Sequence, residues 1–91
     1  MLPSYKKQVL TRLKRACGQL EAVGRMVESD AYCMDVMHQT LAVNGALKKI
    51  NALIMESHLN SCAADRLSSP NAAVKNKAVR EIIEASLLAN K

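Results

Sequence analysis

The sequence has no tryptophan and no phenylalanine, and only two tyrosines. Any core must come from Leu, Ile, Val, Met and Ala, side chains that suit helices. Three glycines and two prolines leave few turns, which argues against a sandwich or barrel of short strands. No apolar run approaches the roughly 20 residues a membrane helix needs, so no membrane association is expected. Met1 to Lys7 holds no apolar signal stretch, and a cytoplasmic location is expected. Thiols stay reduced there, so the three cysteines read as metal ligands, reactive thiols or core residues rather than disulfides. There is no nucleophile–base set, no phosphate-binding glycine loop and no pair of carboxylates in a cleft. An enzyme is not expected.

What is present is a short, half-apolar, basic chain. Its 91 residues fit a single domain, residues 1–91. An apolar share of 49% predicts folding rather than disorder. A chain this short buries a small core, and oligomerisation is a common remedy. Charge is uneven. Residues 1–25 carry six bases (Lys6, Lys7, Arg12, Lys14, Arg15, Arg25) against Glu21 alone. Residues 26–47 carry only Glu28, Asp30 and Asp35, and residues 48–91 carry seven bases against four acids. A basic first helix is the footprint of a polyanion ligand, although charge alone is equally consistent with a solvated face.

The hydrophobic period predicts an all-α fold of three helices: medium, long, short. The first runs from an N-cap at Ser4 to about Val27, with Val9, Leu10, Leu13, Ala16, Cys17, Leu20, Val23 and Val27 as its apolar stripe. Ser29 and Asp30 mark a break and a new cap. The second runs from Ala31 to about Cys62. Its stripe is Cys33, Met37, Thr40, Asn44, Leu47, Asn51, Ile54 and His58, in alternating steps of four and three. That is a heptad seam, and its two Asn are costly unless paired. Val36, Leu41, Val43, Ile50 and Leu53 widen the apolar face for a second contact. After a connection over 65–69, Ser69-Pro70 reads as cap and first residue of a third helix to about Ala89. Its inward set is Val74, Ala78, Ile82, Ile83 and Leu87.

Three residues on or next to the seam carry ligand chemistry: Cys33, His58 and Cys62. His58 and Cys62 are four apart and would share a helical face. A lone His and Cys on such a stripe are more often core residues, but Cys33 lies on the same seam. Cys33 and His58 are 25 residues apart, roughly 37 Å along one helix. One chain cannot close a site from them, whereas two copies packed antiparallel can. The crossing would fall near Gly45 and Ala46, small enough for two backbones to approach. A two-fold axis there generates two equal sites. Two thiolates and an imidazole suit Cu(I), zinc or iron–sulfur chemistry. Three ligands match trigonal Cu(I), while zinc prefers a fourth. Cys33 also falls in the first helical turn, where the helix dipole favours negative charge. His38 is off the seam and reads as a surface histidine.

The run Met26-Val27-Glu28-Ser29-Asp30-Ala31-Tyr32-Cys33-Met34-Asp35-Val36-Met37, followed by His58-Leu59-Asn60-Ser61-Cys62, closely resembles the copper-sensing operon repressor family. The segment Arg12-Leu13-Lys14-Arg15-Ala16-Cys17-Gly18-Gln19-Leu20 resembles that family's basic first helix. The resemblance covers residues 6–88. The Cys, His, Cys trio is specific to the copper branch, and the scaffold is shared with nickel/cobalt, formaldehyde and persulfide sensors. The resemblance implies an all-helical dimer assembling into a tetramer. It also implies repression of an operon by the metal-free protein on double-stranded operator DNA, and release by Cu(I). Cys33 would come from one protomer and His58 and Cys62 from the other. Tyr32 and Glu81 would support the ligands, Glu81 by accepting the second ring N–H of His58. Arg12, Arg15 and Lys49 would contact DNA, with Lys14 adding to the same basic surface. Lys49 and Cys17 are departures, since the family favours arginine at both. Cys17 reads as a buried small residue.

Near-absent aromatics argue against stacking on single strands, and no helix-turn-helix signature is evident, so shape readout of a duplex is expected. The alternative is a repressor that senses persulfide through a sulfur bridge between Cys33 and Cys62. His58 argues against it, because thiol chemistry needs no imidazole there. A nickel or cobalt sensor would want histidine near the N-terminus, a formaldehyde sensor an N-terminal proline, and a copper carrier an exposed CxxC-type pair. None of these is present.

Overall fold

The computed structural model describes residues 1–89. It has four helices: α1 (Pro3–Glu28), α2 (Cys33–Leu59), α3 (Cys62–Leu67) and α4 (Ala72–Ala89). All described elements are helical, as expected, but there are four rather than three, because the long helix breaks before Cys62.

Helix α1 starts earlier than its hydroxyl signal suggested. Leu2 is the N-cap and Pro3 the first helical residue. Proline is favoured there because its missing N–H would have had no helical partner. The expected cap, Ser4, lies inside the helix. Between α1 and α2, Asp30 is not a cap but a left-handed residue with φ of 54°, a conformation Asp tolerates better than most side chains. The Ala31 amide donates to the Met26 carbonyl at 2.9 Å and the Asp30 amide to Val27 at 3.1 Å. This pair of bonds is a Schellman motif, which satisfies the last carbonyls of α1. Tyr32 then caps α2, its carbonyl accepting from Asp35 and Val36.

Helix α2 ends at Leu59, ahead of Ser61. The Ser61 hydroxyl donates to the Ser57 carbonyl at 2.6 Å, the acceptor that its own amide would use in a continuing helix. The amide bonds to His58 instead at 3.3 Å, and the Ser61 backbone leaves the helical region at φ −136°, ψ −94°. Helix α3 restarts at Cys62. Helix α4 begins two residues after Pro70. Ser69 Oγ accepts from the Asn71 amide at 3.1 Å, and Asn71 Oδ1 accepts from Ala73 at 2.9 Å. The cap is therefore Asn71, not Ser69.

Packing divides the broad apolar faces in two. Helices α1 and α2 form an antiparallel hairpin. Val9, Ile50 and Leu53 make its buried cluster, with Tyr5 against it. Ala16 and Val43 are also buried. The other half of each stripe is open. On α1, Leu10, Leu13, Leu20 and Val27 are exposed, as is Cys17, which was expected to be buried. On α2 the 33–58 seam is exposed at every position except His58, which is half-buried. Leu41, expected in the second contact, is exposed too. Helix α4 buries Ala78 and half-buries Ile82, while Val74, Ile83 and Leu87 face outward. The chain measures 58 × 27 × 13 Å. A helix with side chains is about 10–12 Å across, so the fold is one layer deep.

Two predictions follow from the hairpin. Ile50 is 3% exposed. Ile50→Ala should destabilise the protein by about 3 kcal/mol, read by urea unfolding at fixed protein concentration. A loss under about 1 kcal/mol would contradict this packing. The Tyr5 phenol bridges the helices, receiving the Asn60 side-chain amide at 3.4 Å. Its pKa is raised, first by a hydrogen bond to the Glu56 carboxylate and then by partial burial, while the Asn60 bond pulls the other way. A raised phenol pKa means that the bridge stabilises the fold below the ordinary value, about 10, and weakens as pH rises through the higher folded value. Glu56→Gln in a Tyr32→Phe background should lower the Tyr5 pKa, read by near-ultraviolet phenolate absorbance. An unchanged titration would remove Glu56 as the cause.

Candidate metal centre

The two ends of α2 hold the ligand candidates. Cys33 is the first helical residue, and His58 lies in the last turn. They stand roughly 37 Å apart along the helix axis. Cys62 opens α3 just past the turn, so it belongs to the His58 end. Among the described residues, no three His, Cys, Asp or Glu side chains gather closely enough to hold a metal. Cys33 and Cys62 are both exposed free thiols.

His58 and Cys62 do not share a helical face, as their spacing had suggested, because α2 ends between them. The turn at Asn60 and Ser61 sets their relative direction instead. The Ser61 hydroxyl also lies 3.9 Å from Cys62 Sγ.

A cleft of about 810 Å³ opens between the C-terminal half of α2 and α4. His58 and Glu81 both line it, with Asn51, Ile54, Met55 and Ile82. Glu81 Oε2 is 3.7 Å from the Arg66 guanidinium. Both side chains are substantially exposed, so this ion pair contributes little to stability. Tyr32 sits at the other end of α2 beside Cys33, with 69% of its surface exposed. Thus Glu81 lines the same cleft as His58, and Tyr32 adjoins Cys33. Sequence reading missed three contributors: Arg66 as the partner of Glu81, Lys48 on the cleft wall, and Ser57 beneath the turn. Only the opposite charges of Arg66 and Glu81 left a sequence signal.

The donors suit a soft ion. Two thiols and one imidazole offer sulfur and nitrogen and no hard oxygen, a set that favours Cu(I) over Mg²⁺ or Ca²⁺. Their exposure leaves them open to donors from another molecule.

The basic residues lie elsewhere on the hairpin. Arg12 and Arg15 line a hollow of about 210 Å³ with Ala16, Gln19 and Ala46. Arg12 is half-buried, and an arginine so placed can pack its aliphatic stem while its charged head meets an anion. Lys14 and Lys49 are exposed. Lys14 is two positions from Arg12, so the two do not share one helical face.

Residues 5–87 match the family model described as metal-sensitive transcriptional repressor. The chain is 37% identical over 84 residues to the copper-sensing transcriptional repressor CsoR of Mycobacterium tuberculosis, covering 92% of this chain and 68% of that protein. It is 46% identical over 61 residues to the CsoR of Mycobacterium ulcerans, covering 67% of this chain and 52% of that protein. The chain thus spans about half the length of the latter relative. Among solved structures, CsoR with Cu(I) from Geobacillus thermodenitrificans superposes with a TM-score of 0.83 at 27% identity, over 100% of this chain and 92% of that one. A variant of the formaldehyde-responsive regulator FrmR from Salmonella enterica gives 0.75 at 31% identity, over 97% of each. The chain belongs to the family of metal-sensitive transcriptional repressors.

Proposed function

We propose that this chain is a Cu(I)-responsive repressor and that residues 1–91 act as one metal-sensing and DNA-binding unit. In this reading Cys33 of one protomer meets His58 and Cys62 of its partner, and two equal sites form per antiparallel dimer. The carrying observation is that all three donors are present but stand at opposite ends of α2, while the seam between them is open. Burying that seam against a second copy brings the separated donors together at both ends. The surface area supports it. The chain exposes 6847 Å², whereas a compact monomer of its mass exposes about 5,200 Å². The excess exceeds the roughly 800 Å² per partner of a standard interface. Dimers pairing further into a tetramer would cover the remaining apolar stripe on α1.

Cys33, His58 and Cys62 would hold Cu(I), a soft cation matched to two thiolates and an imidazole. Glu81 orients His58 by accepting its other ring N–H, which requires the carboxylate to leave Arg66. Tyr32 packs beside Cys33. The metal-free oligomer presents Arg12, Arg15 and Lys49 to the phosphates of operator DNA, with Lys14 on a neighbouring face of α1 adding to the positive field, and affinity falls with salt as counterions are released. Closing the sites shifts the helices that carry these bases, and operator affinity drops. Genes for copper resistance are the fitting target for such a switch.

Two experiments test this. Cys33→Ala and Cys62→Ala homodimers should each lose the three-coordinate site. Mixed and re-equilibrated, they should regain about a quarter of wild-type Cu(I) capacity, because half the dimers are mixed and each has one intact site. X-ray absorption should report two sulfurs and one nitrogen at the restored site, and only sulfur after His58→Ala. No regain on mixing would overturn the shared site. A response to polysulfide without Cu(I), through a bridge between Cys33 and Cys62, would favour the sulfur-sensing alternative. Secondly, Arg15→Ala should weaken duplex binding across sequences and lower the slope of log affinity against log salt by about 1. An unchanged slope would remove Arg15 from the DNA face.

A further inference from the structure

We propose that Ser57 is a positioning residue that transmits the geometry of the His58–Cys62 turn to the start of α1 through one hydrogen bond. The inference rests on the function proposed above.

Ser57 is fully buried, and no other polar residue is buried among the described residues. It directly precedes His58. Its Oγ accepts from the Leu2 backbone amide at 3.0 Å, joining residues 55 positions apart. Its carbonyl accepts from the Ser61 hydroxyl at 2.6 Å, and Ser61 directly precedes Cys62. One residue therefore reaches both the N-terminus of α1 and the residue that launches α3. Asn60 adds a second tie between the same turn and α1 through Tyr5.

Leu2 is where α1 begins, its carbonyl accepting the first helical bond from Lys6 at 2.9 Å. Helix α1 runs unbroken for 26 residues, so its first turn and the hollow at Arg12 and Arg15 move together. A ligand set that draws His58 and Cys62 onto one ion acts on the turn between them, at Ser61. The Ser57 carbonyl and hydroxyl follow, and among the described residues the hydrogen bond of the Leu2 amide is the one to Ser57. A simple core serine would stabilise the hairpin equally in both metal states. A transmitting serine affects the difference between them.

The measured quantity is the coupling factor: the ratio of duplex dissociation constants with and without Cu(I). The probe is a duplex enriched from a random-sequence pool by the metal-free protein. Ser57→Ala removes the acceptor and Leu2→Pro removes the donor. Each should lower the coupling factor roughly fivefold, the effect of one net hydrogen bond. The double variant should lose no more than either alone, because both changes delete one interaction. In the metal-free variants, amide hydrogen exchange should quicken in the first turn of α1, while duplex affinity stays within about twofold of wild type. Full coupling in either folded variant, unchanged exchange, or a double loss equal to the product of the singles would overturn the proposal. If Ser57→Ala does not fold, Leu2→Pro decides. A wild type that ignores Cu(I) would fail the proposed function itself. A responsive wild type with equally responsive variants would fail only the role of Ser57.

Discussion

The chain is a single layer of helices, 13 Å in its shortest dimension. Helices bury apolar stripes by packing against another layer, and one layer can cover only the edges where neighbours touch. This constraint explains the small buried core, Val9, Ala16, Val43, Ile50, Leu53, Ala63 and Ala78. It also explains why Leu10, Leu20, Met37 and Leu47 stay open. In the proposed dimer the second layer is the partner, and the candidate ligands lie on or beside the surface it would cover. Stability and sensing would then fall on the same seam.

The heptad stripe on α2 was legible because its steps of four and three are regular and end on ligand residues. The sequence does not say which of two adjacent stripes is satisfied within the chain. Val43, Ile50 and Leu53 pack on α1, while Met37, Leu47 and Ile54, one helical face away, do not. Residues on both stripes are equally apolar, so composition cannot rank them. The same ambiguity on α1 merged the Val9–Ala16 face with the Leu10–Cys17–Leu20 face and put Cys17 inside. Thickness, a three-dimensional property, separates them.

The break before Cys62 was hidden for a different reason. No proline or glycine interrupts residues 46–69, and spacing alone continues the helix. At the break the Ser61 hydroxyl bonds the Ser57 carbonyl, yet Thr11 and Thr40 make the same bond inside unbroken helices, so this residue type does not mark a stop. The break leaves no pattern in hydropathy. The cap of α4 moved for a related reason: Ser69 and Asn71 can each cap, and the Asn71 side chain reaches the helix amide while Ser69 supports Asn71. Candidate ligands could be named from residue type and separation. The direction in which His58 and Cys62 point depended on this turn.

A site divided between two chains has a thermodynamic consequence that a site within one chain lacks. In the proposed dimer, each metal ion binds only where Cys33 faces a partner's His58 and Cys62, so ligand binding and assembly are linked. In that reading the metal lowers DNA affinity and DNA lowers metal affinity by one shared coupling free energy. The exposed Arg66–Glu81 pair fits this scheme because it is weak. A strong, buried pair would hold Glu81 against His58's demand and oppose closure by several kcal/mol. A surface pair gives the carboxylate up at little cost. The same reasoning separates the buried Ser57 bond from the surface pair. A contact that must carry a displacement has to persist through it, and burial keeps water from replacing it.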